Sequence, residues 1–388
     1  MTPTTLLIAM LACSQPDSGA GAVVRLRSGE EVRAEMHRVT PEALVVRTEG
    51  REVLIGWERV AETSGVPLTP RQREDAAAAW RAVSRAARGD YVNAEPLLET
   101  LFPAVRGRIG PTPATVSGEL LRCRLARGAV VGAVEPMLSL AGAYARGDDD
   151  WLPVEGAGWA RARDPAPMQV VWDEGMGLSP GVPPMWVALP GVVSLARAGA
   201  RLGEGLPEGR ASRLAALYAH ALRFEAGEPT ALPERPEFDD ALRFVYDVVA
   251  ARTGDGAERD AAVARLRATI AGDVPAWVRV WGHAAIGRAL LRSADMETRL
   301  LGVAEVLRVP AAYERELPYV TGLCLAEAAA ALLDLGEQGG ASSVYVQLAE
   351  RFPEHPALAW EALGPLREGR AGRASRSTDA ERPPAGGL

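Results

Sequence analysis

The stretch "GMGLSPGVPPMW", residues 175–186, contains Gly177-Leu178-Ser179-Pro180-Gly181, the G-x-S-x-G spacing of a serine nucleophile. Acyl transfer at such a serine uses the amide of the next residue as an oxyanion donor. That residue is Pro180, which has no N–H, and no strand–helix alternation surrounds the motif. Nucleophilic catalysis at Ser179 is therefore not expected. Carboxylates are the next candidates. Asp148-Asp149-Asp150 precedes Trp151, Asp173-Glu174 follows Trp172, and Asp239-Asp240 opens a helical pattern. Acids beside tryptophans suit glycan chemistry, which uses carboxylates about 5 to 10 Å apart and aromatic platforms. The same acids are equally at home at helix N-termini and in solvated turns. His37, His220, His283 and His355 are scattered with no ligand spacing, and no G-x-G-x-x-G follows a strand pattern. Neither a metal nor a cofactor is expected.

Composition narrows the chemistry further. All 43 basic residues are arginine, so phosphate loops, kinase-type sites and Schiff bases that depend on lysine are excluded. A net charge of −7 gives no reason to expect a nucleic-acid partner. Cys123 and Cys324 lie alone in helical patterns and read as buried core thiols.

The elements that must carry these residues fall into blocks. Residues 1–21 form a leader-like segment and tether. Leu6 to Ala12 are apolar and end at Cys13, which resembles a bacterial lipoprotein signal; the resemblance implies lipidation at Cys13 and an envelope location, a cytoplasmic chain being the alternative. Residues 22–62 alternate with period two around Ser28-Gly29-Glu30, Thr40-Pro41-Glu42 and Glu49-Gly50-Arg51. Val32, Ala34 and Met36 are expected to share one face of a small antiparallel, SH3-like module. After a linker at 63–70 the period becomes helical, and residues 71–366 read as a mainly α solenoid of helical hairpins. Helices are expected near 191–203, 237–253, 340–351 and 356–366 among others, followed by a disordered tail at 367–388.

Two hairpins echo each other, "RGDYVNAEPLL" at 88–98 and "RGAVVGAVEPML" at 127–138. The clearest unit comes later, in "LLDLGEQGGASSVYVQLAERFPEHP". Gly336 holds the turn, Ala341, Tyr345 and Leu348 follow at packing spacing, Pro353 closes the unit, and Ala329 and Leu332 occupy the first helix. This resembles a tetratricopeptide (TPR) repeat of bacterial envelope proteins. A weaker unit is expected around Gly256, Ala261 and Asp273. The resemblance implies stacked pairs that bind a protein or peptide without catalysis.

Residues 147–190 depart from the helical pattern. The stretch from 151 to 190 holds four of the nine tryptophans, Trp151, Trp159, Trp172 and Trp186, and seven prolines. Two roles are open for it: indoles packing across the helical array, or a groove in which Trp172, Met176 and Trp186, with Trp151 and Trp159, contact a ligand. Glycan binding or cleavage through these tryptophans and the nearby acids is the alternative function, and a purely structural assembly factor a third.

Overall fold

The structure is a computed structural model that describes residues 21–144, 171–198 and 202–370. It begins with strands β1 (Ala22–Leu26), β2 (Glu31–Ala34), β3 (Met36–Val39), β4 (Leu44–Thr48), β5 (Arg51–Ile55) and β6 (Val60–Ser64). They form two antiparallel three-stranded sheets, ordered β2-β1-β6 and β3-β4-β5. β2 and β3 are one strand bent at Glu35, whose amide still reaches the Arg47 carbonyl at 2.8 Å. The bend shifts the alternation. Ala34 is buried but Met36 is exposed, so Val32, Ala34 and Met36 do not share a face as expected. Glu49 and Gly50 both adopt positive φ, 52° and 74°, as a two-residue hairpin requires, and pair Thr48 with Arg51. Val24, Leu26, Leu44, Val46, Ile55 and Trp57 fill the space between the sheets.

The module is fixed to the helices by polar contacts. The Trp57 amide donates to Thr112 Oγ1 at 2.9 Å, and the Thr112 amide donates to the Glu42 carbonyl at 3.2 Å. The first helix starts where Thr69 and Gln72 make a reciprocal capping box with Pro70 at its first position.

The helices are α1 (Pro70–Ala86), α2 (Tyr91–Val105), α3 (Pro111–Ala126), α4 (Val130–Ala143), α5 (Pro190–Arg197), α6 (Arg210–Glu225), α7 (Asp240–Thr253), α8 (Gly256–Ile270), α9 (Ala276–Leu290), α10 (Met296–Ala312), α11 (Pro318–Asp334) and α12 (Gln338–Arg351). Consecutive helices pack pairwise, as in a helical-repeat array, and α4 also packs on α6 across the irregular segment. The helix expected at 356–366 is instead two 3-10 turns, Pro356–Ala359 and Glu361–Leu363, before a helical stretch from 364. Proline at 356 supplies a first-turn φ, and extended Trp360 separates the two turns.

Three hairpins share one geometry. Gly89, Gly128 and Gly336 have φ of 78°, 73° and 81°, a region that favours glycine. The next residues, Asp90, Ala129 and Glu337, have nearly identical φ/ψ of −82°/61°, −81°/58° and −80°/62°. Their amides reach back to the carbonyls of Arg85, Arg124 and Leu332 at 3.0, 2.8 and 2.9 Å. Four residues further on stand Ala94, Ala133 and Ala341, each 0% exposed, where a larger side chain would push the paired helices apart. Leu98, Met137 and Tyr345, then Leu101, Leu140 and Leu348, follow as buried packing residues at the same intervals. Pro353 lies in the turn just beyond α12, Ala329 is buried on α11, and Leu332 is half-buried against the core. The unit at α8 departs from this register. Gly254 keeps φ at −62° there, and the fully buried alanine is Ala262, while the expected Ala261 is only half-buried.

Candidate functional site

Residues 171–189 contain no helix or regular strand, yet 177–187 are buried without interruption. A buried irregular backbone must place every N–H and C=O, because an unpaired one costs about 1–3 kcal/mol. Pro180, Pro183 and Pro184 lower that demand by carrying no N–H. The segment starts with a closed turn: Asp173 and Leu178 exchange backbone hydrogen bonds at 2.8 and 3.3 Å, and Asp173 Oδ1 accepts from the Met176 amide at 2.9 Å. Gly177 completes the turn at φ 56° beneath Arg210.

Carbonyls along the segment are then taken up one by one from surrounding helices. Arg210 on α6 donates to the Met176 carbonyl. Trp281 Nε1 on α9 donates to Pro180 at 3.0 Å, and Tyr218 Oη on α6 donates to Val182 at 2.5 Å. Tyr319 Oη on α11 donates to Met185 at 3.2 Å, and Arg288 Nη2 on α9 donates to Trp186 at 2.5 Å. Trp277 Nε1 holds the Asp173 carboxylate at 2.9 Å. Burial raises both the Tyr218 and Tyr319 phenols well above the usual range, so both remain O–H donors.

Beneath the Trp186 carbonyl lies a buried charge cluster. Arg288 Nε meets both oxygens of Glu327 at 2.8 and 3.0 Å, and its Nη2 meets Glu225 at 2.9 Å. Arg252 Nε binds the same Glu225 oxygen at 2.9 Å. Burial works against the Glu225 carboxylate, but Arg252 and Arg288 outweigh it and hold the group below the usual carboxylate range. The irregular segment is thus held as an extended peptide would be, by side-chain donors on its carbonyls, with the chain itself as occupant.

The residues proposed for ligand contact separate accordingly. Trp186 is 0% exposed and packs edge-on to Tyr218, their ring centroids 5.9 Å apart. Trp172 is 6% exposed and stacks on Tyr144. Neither offers a face to an external partner, because each indole fills the space between the segment and the helices. Met176 is half-buried against the same core. Trp151, Trp159, Cys13 and Asp148–Asp150 lie outside the described residues. Asp173 is committed to Trp277 and its own turn, which leaves exposed Glu174 alone of that acid pair. Ser179 is 0% exposed with no hydrogen bond to its Oγ. The histidines on the helices are engaged elsewhere: His220 with Thr230 and Thr253, His283 with Glu305, and His355 with the Tyr319 carbonyl. No group of three or more metal-ligating side chains occurs among the described residues.

The donors Tyr218, Trp281, Arg288 and Tyr319 are not among the site residues expected from sequence. Their signal was present as single polar-tipped residues inside apolar helical runs, most plainly Arg288 in "HAAIGRALL". Open surface lies outside the segment. A cavity of about 440 Å³ opens between α6 and the preceding side of α7, lined by Arg213, Pro233, Arg235, Pro236 and Phe238, with Phe238 78% exposed. A second, of about 330 Å³, lies where Trp57 of the β module meets Leu101, Val105 and Val116. No helix among the described residues is long and apolar enough to cross a membrane. Comparison with protein-family models, curated proteins and solved structures finds no match to this chain.

Proposed function

We propose that this chain is a non-catalytic scaffold that binds a protein or peptide through a TPR-like helical array. The observation that carries this reading is the register shared by three hairpins: a left-handed turn glycine, a fully buried alanine, and two apolar packing residues at fixed intervals. Arrays of such pairs present extended rigid surfaces on which partners dock, and the assignment to binding is by analogy of architecture. Because residues 177–187 fill the interior, partners meet the outer faces, where the cavity beside Phe238 combines proline, arginine and an exposed aromatic ring. Arginine and aromatic side chains are enriched at protein interfaces. Envelope attachment through Cys13 belongs to the same proposal.

Crosslinking followed by capture of the chain from its native cells tests the binding role. A defined partner lost on Phe238→Ala, with folding unchanged, is expected; recovery of the chain with no partner sinks the proposal. Lipid labelling of wild type and Cys13→Ser tests the anchor, and equal labelling of the two removes it.

A further inference from the structure

Three of the eight large hydrophobic side chains exposed among the described residues fall within six positions of α10: Met296 at 63%, Leu300 at 44% and Leu301 at 59%. The inner face of α10 is fully used. Gly302, Val303, Val306, Val309 and Pro310 are buried, and a Cβ at Gly302 would stand 2.8 Å from the Leu291 amide and 3.1 Å from the Gly287 carbonyl. The outer face is a continuous row with helical spacing, Met296, Leu300, Ala304 and Arg308, flanked by Leu301 and Glu297, all exposed. Ala304 stands next to its middle, where a small side chain lets a second helix approach closely.

We infer that this face pairs with the same face of a second copy, with the two α10 helices antiparallel about a two-fold axis. The charges at the ends of the row select this occupant and this direction. Antiparallel pairing about an axis midway between Leu300 and Ala304 sets Leu300 against Ala304 of the other copy and brings Glu297 within one residue of its Arg308, twice over by symmetry. Parallel pairing would set Glu297 on Glu297 and Arg308 on Arg308, which disfavours it. Arg308 has the reach for this, since its side chain is 64% exposed, with its Nε 3.3 Å from Glu305. One helix pair buries less than the roughly 1,200 Å² of a standard interface, so the dimer is weak and concentration-dependent. The pairing rests on exposure and charge alone: a chain that stays monomeric can still bind a different protein, and the capture experiment reports that separately.

Sedimentation velocity of the purified full chain over a concentration series provides the test. A dimer that grows with concentration is expected. Leu300→Glu/Leu301→Glu should shift it to monomer by at least about tenfold in dissociation constant, with the thermal melt unchanged. Glu297→Arg should weaken it several-fold, each exposed pair being worth a factor of up to about five, and Glu297→Arg/Arg308→Glu should restore it. The charge pair keeps the test decisive if the double leucine variant folds poorly. A monomer up to the solubility limit, or a dimer indifferent to both sets of substitutions, overturns the inference.

Discussion

Arg288 is the residue on which the placement of the irregular segment can be tested most directly. Its guanidinium is 1% exposed and makes three kinds of bond at once: to both oxygens of Glu327, to Glu225, and to the Trp186 carbonyl. Arg288→Met keeps an apolar stem out to about the position of Nε but removes every donor. Glu225 retains Arg252 at 2.9 Å, whereas Glu327, itself 4% exposed, loses the cation that faces it, and the Trp186 carbonyl loses its donor. Leaving a buried charge uncompensated costs about 3–5 kcal/mol, and the orphaned carbonyl adds about 1–3 kcal/mol. Urea denaturation followed by circular dichroism should show a loss in this range. Tryptophan fluorescence should report loosening around Trp186 before the helices melt. Adding Glu327→Gln to Arg288→Met removes the stranded charge, so the double variant should recover part of the loss instead of summing two losses. A cost under about 1 kcal/mol for Arg288→Met, or strict additivity in the double variant, would refute the view that this cluster holds the segment.

Other substitutions test the rest of the architecture. Burial pushes Glu119 on α3 up to about 7, only partly offset by Arg122 at 3.5 Å, so the folded state holds this proton more tightly than the unfolded chain. The stability it confers is complete below the ordinary carboxylate range and is lost as pH rises toward 7, by about 3 kcal/mol in all. Glu119→Gln should therefore flatten the stability profile between pH 4.5 and 7 and leave the variant more stable than wild type at pH 8, as read from urea midpoints. Gly336→Ala meets no atom within 4 Å but must adopt φ of +81°, and should cost about 1–2 kcal/mol. Gly339→Ala, inside α12 and equally free of neighbours, should gain up to about 1 kcal/mol; thermal melts of the pair separate backbone strain from crowding. Gly322→Ala would put a Cβ 2.4 Å from the His355 ring and should cost about 1–3 kcal/mol, with no loss in a calorimetric melt counting against close packing of α11 on the final turns.

The parts of the fold that the sequence disclosed are those governed by local rules. Turn glycines at 89, 128 and 336 announce themselves because few other residues enter their backbone region, and the alanine and leucine spacing after them fixes which face packs. The β module was legible from alternation except at Glu35, where a bend that no residue type signals turns Met36 outward. At 356–366 the apolar spacing of a helix persists through Pro356 and Pro365 even though the backbone breaks into 3-10 turns. The fate of Trp172 and Trp186 was not legible, since tryptophan with proline describes a surface ligand loop and a buried strut equally well.

What separates those two possibilities is the complement on the helices. A ligand-binding loop leaves its own carbonyls to water and partner, whereas a strut buried between helices requires donors fixed opposite them. Tyr218, Trp281, Arg288 and Tyr319 are such donors, spread over three helices and more than a hundred residues of sequence, so they cohere only once the helices are stacked. Prolines at 180, 183 and 184 act from the other side by removing N–H donors from the buried backbone. Composition and setting are therefore matched, and the match is to an internal occupant. An array that encloses its own peptide has closed that interior to others. Under the proposed binding role, partner contacts fall to exposed side chains such as Phe238 and the outer row of α10, where the hydrophobic area is open among the described residues.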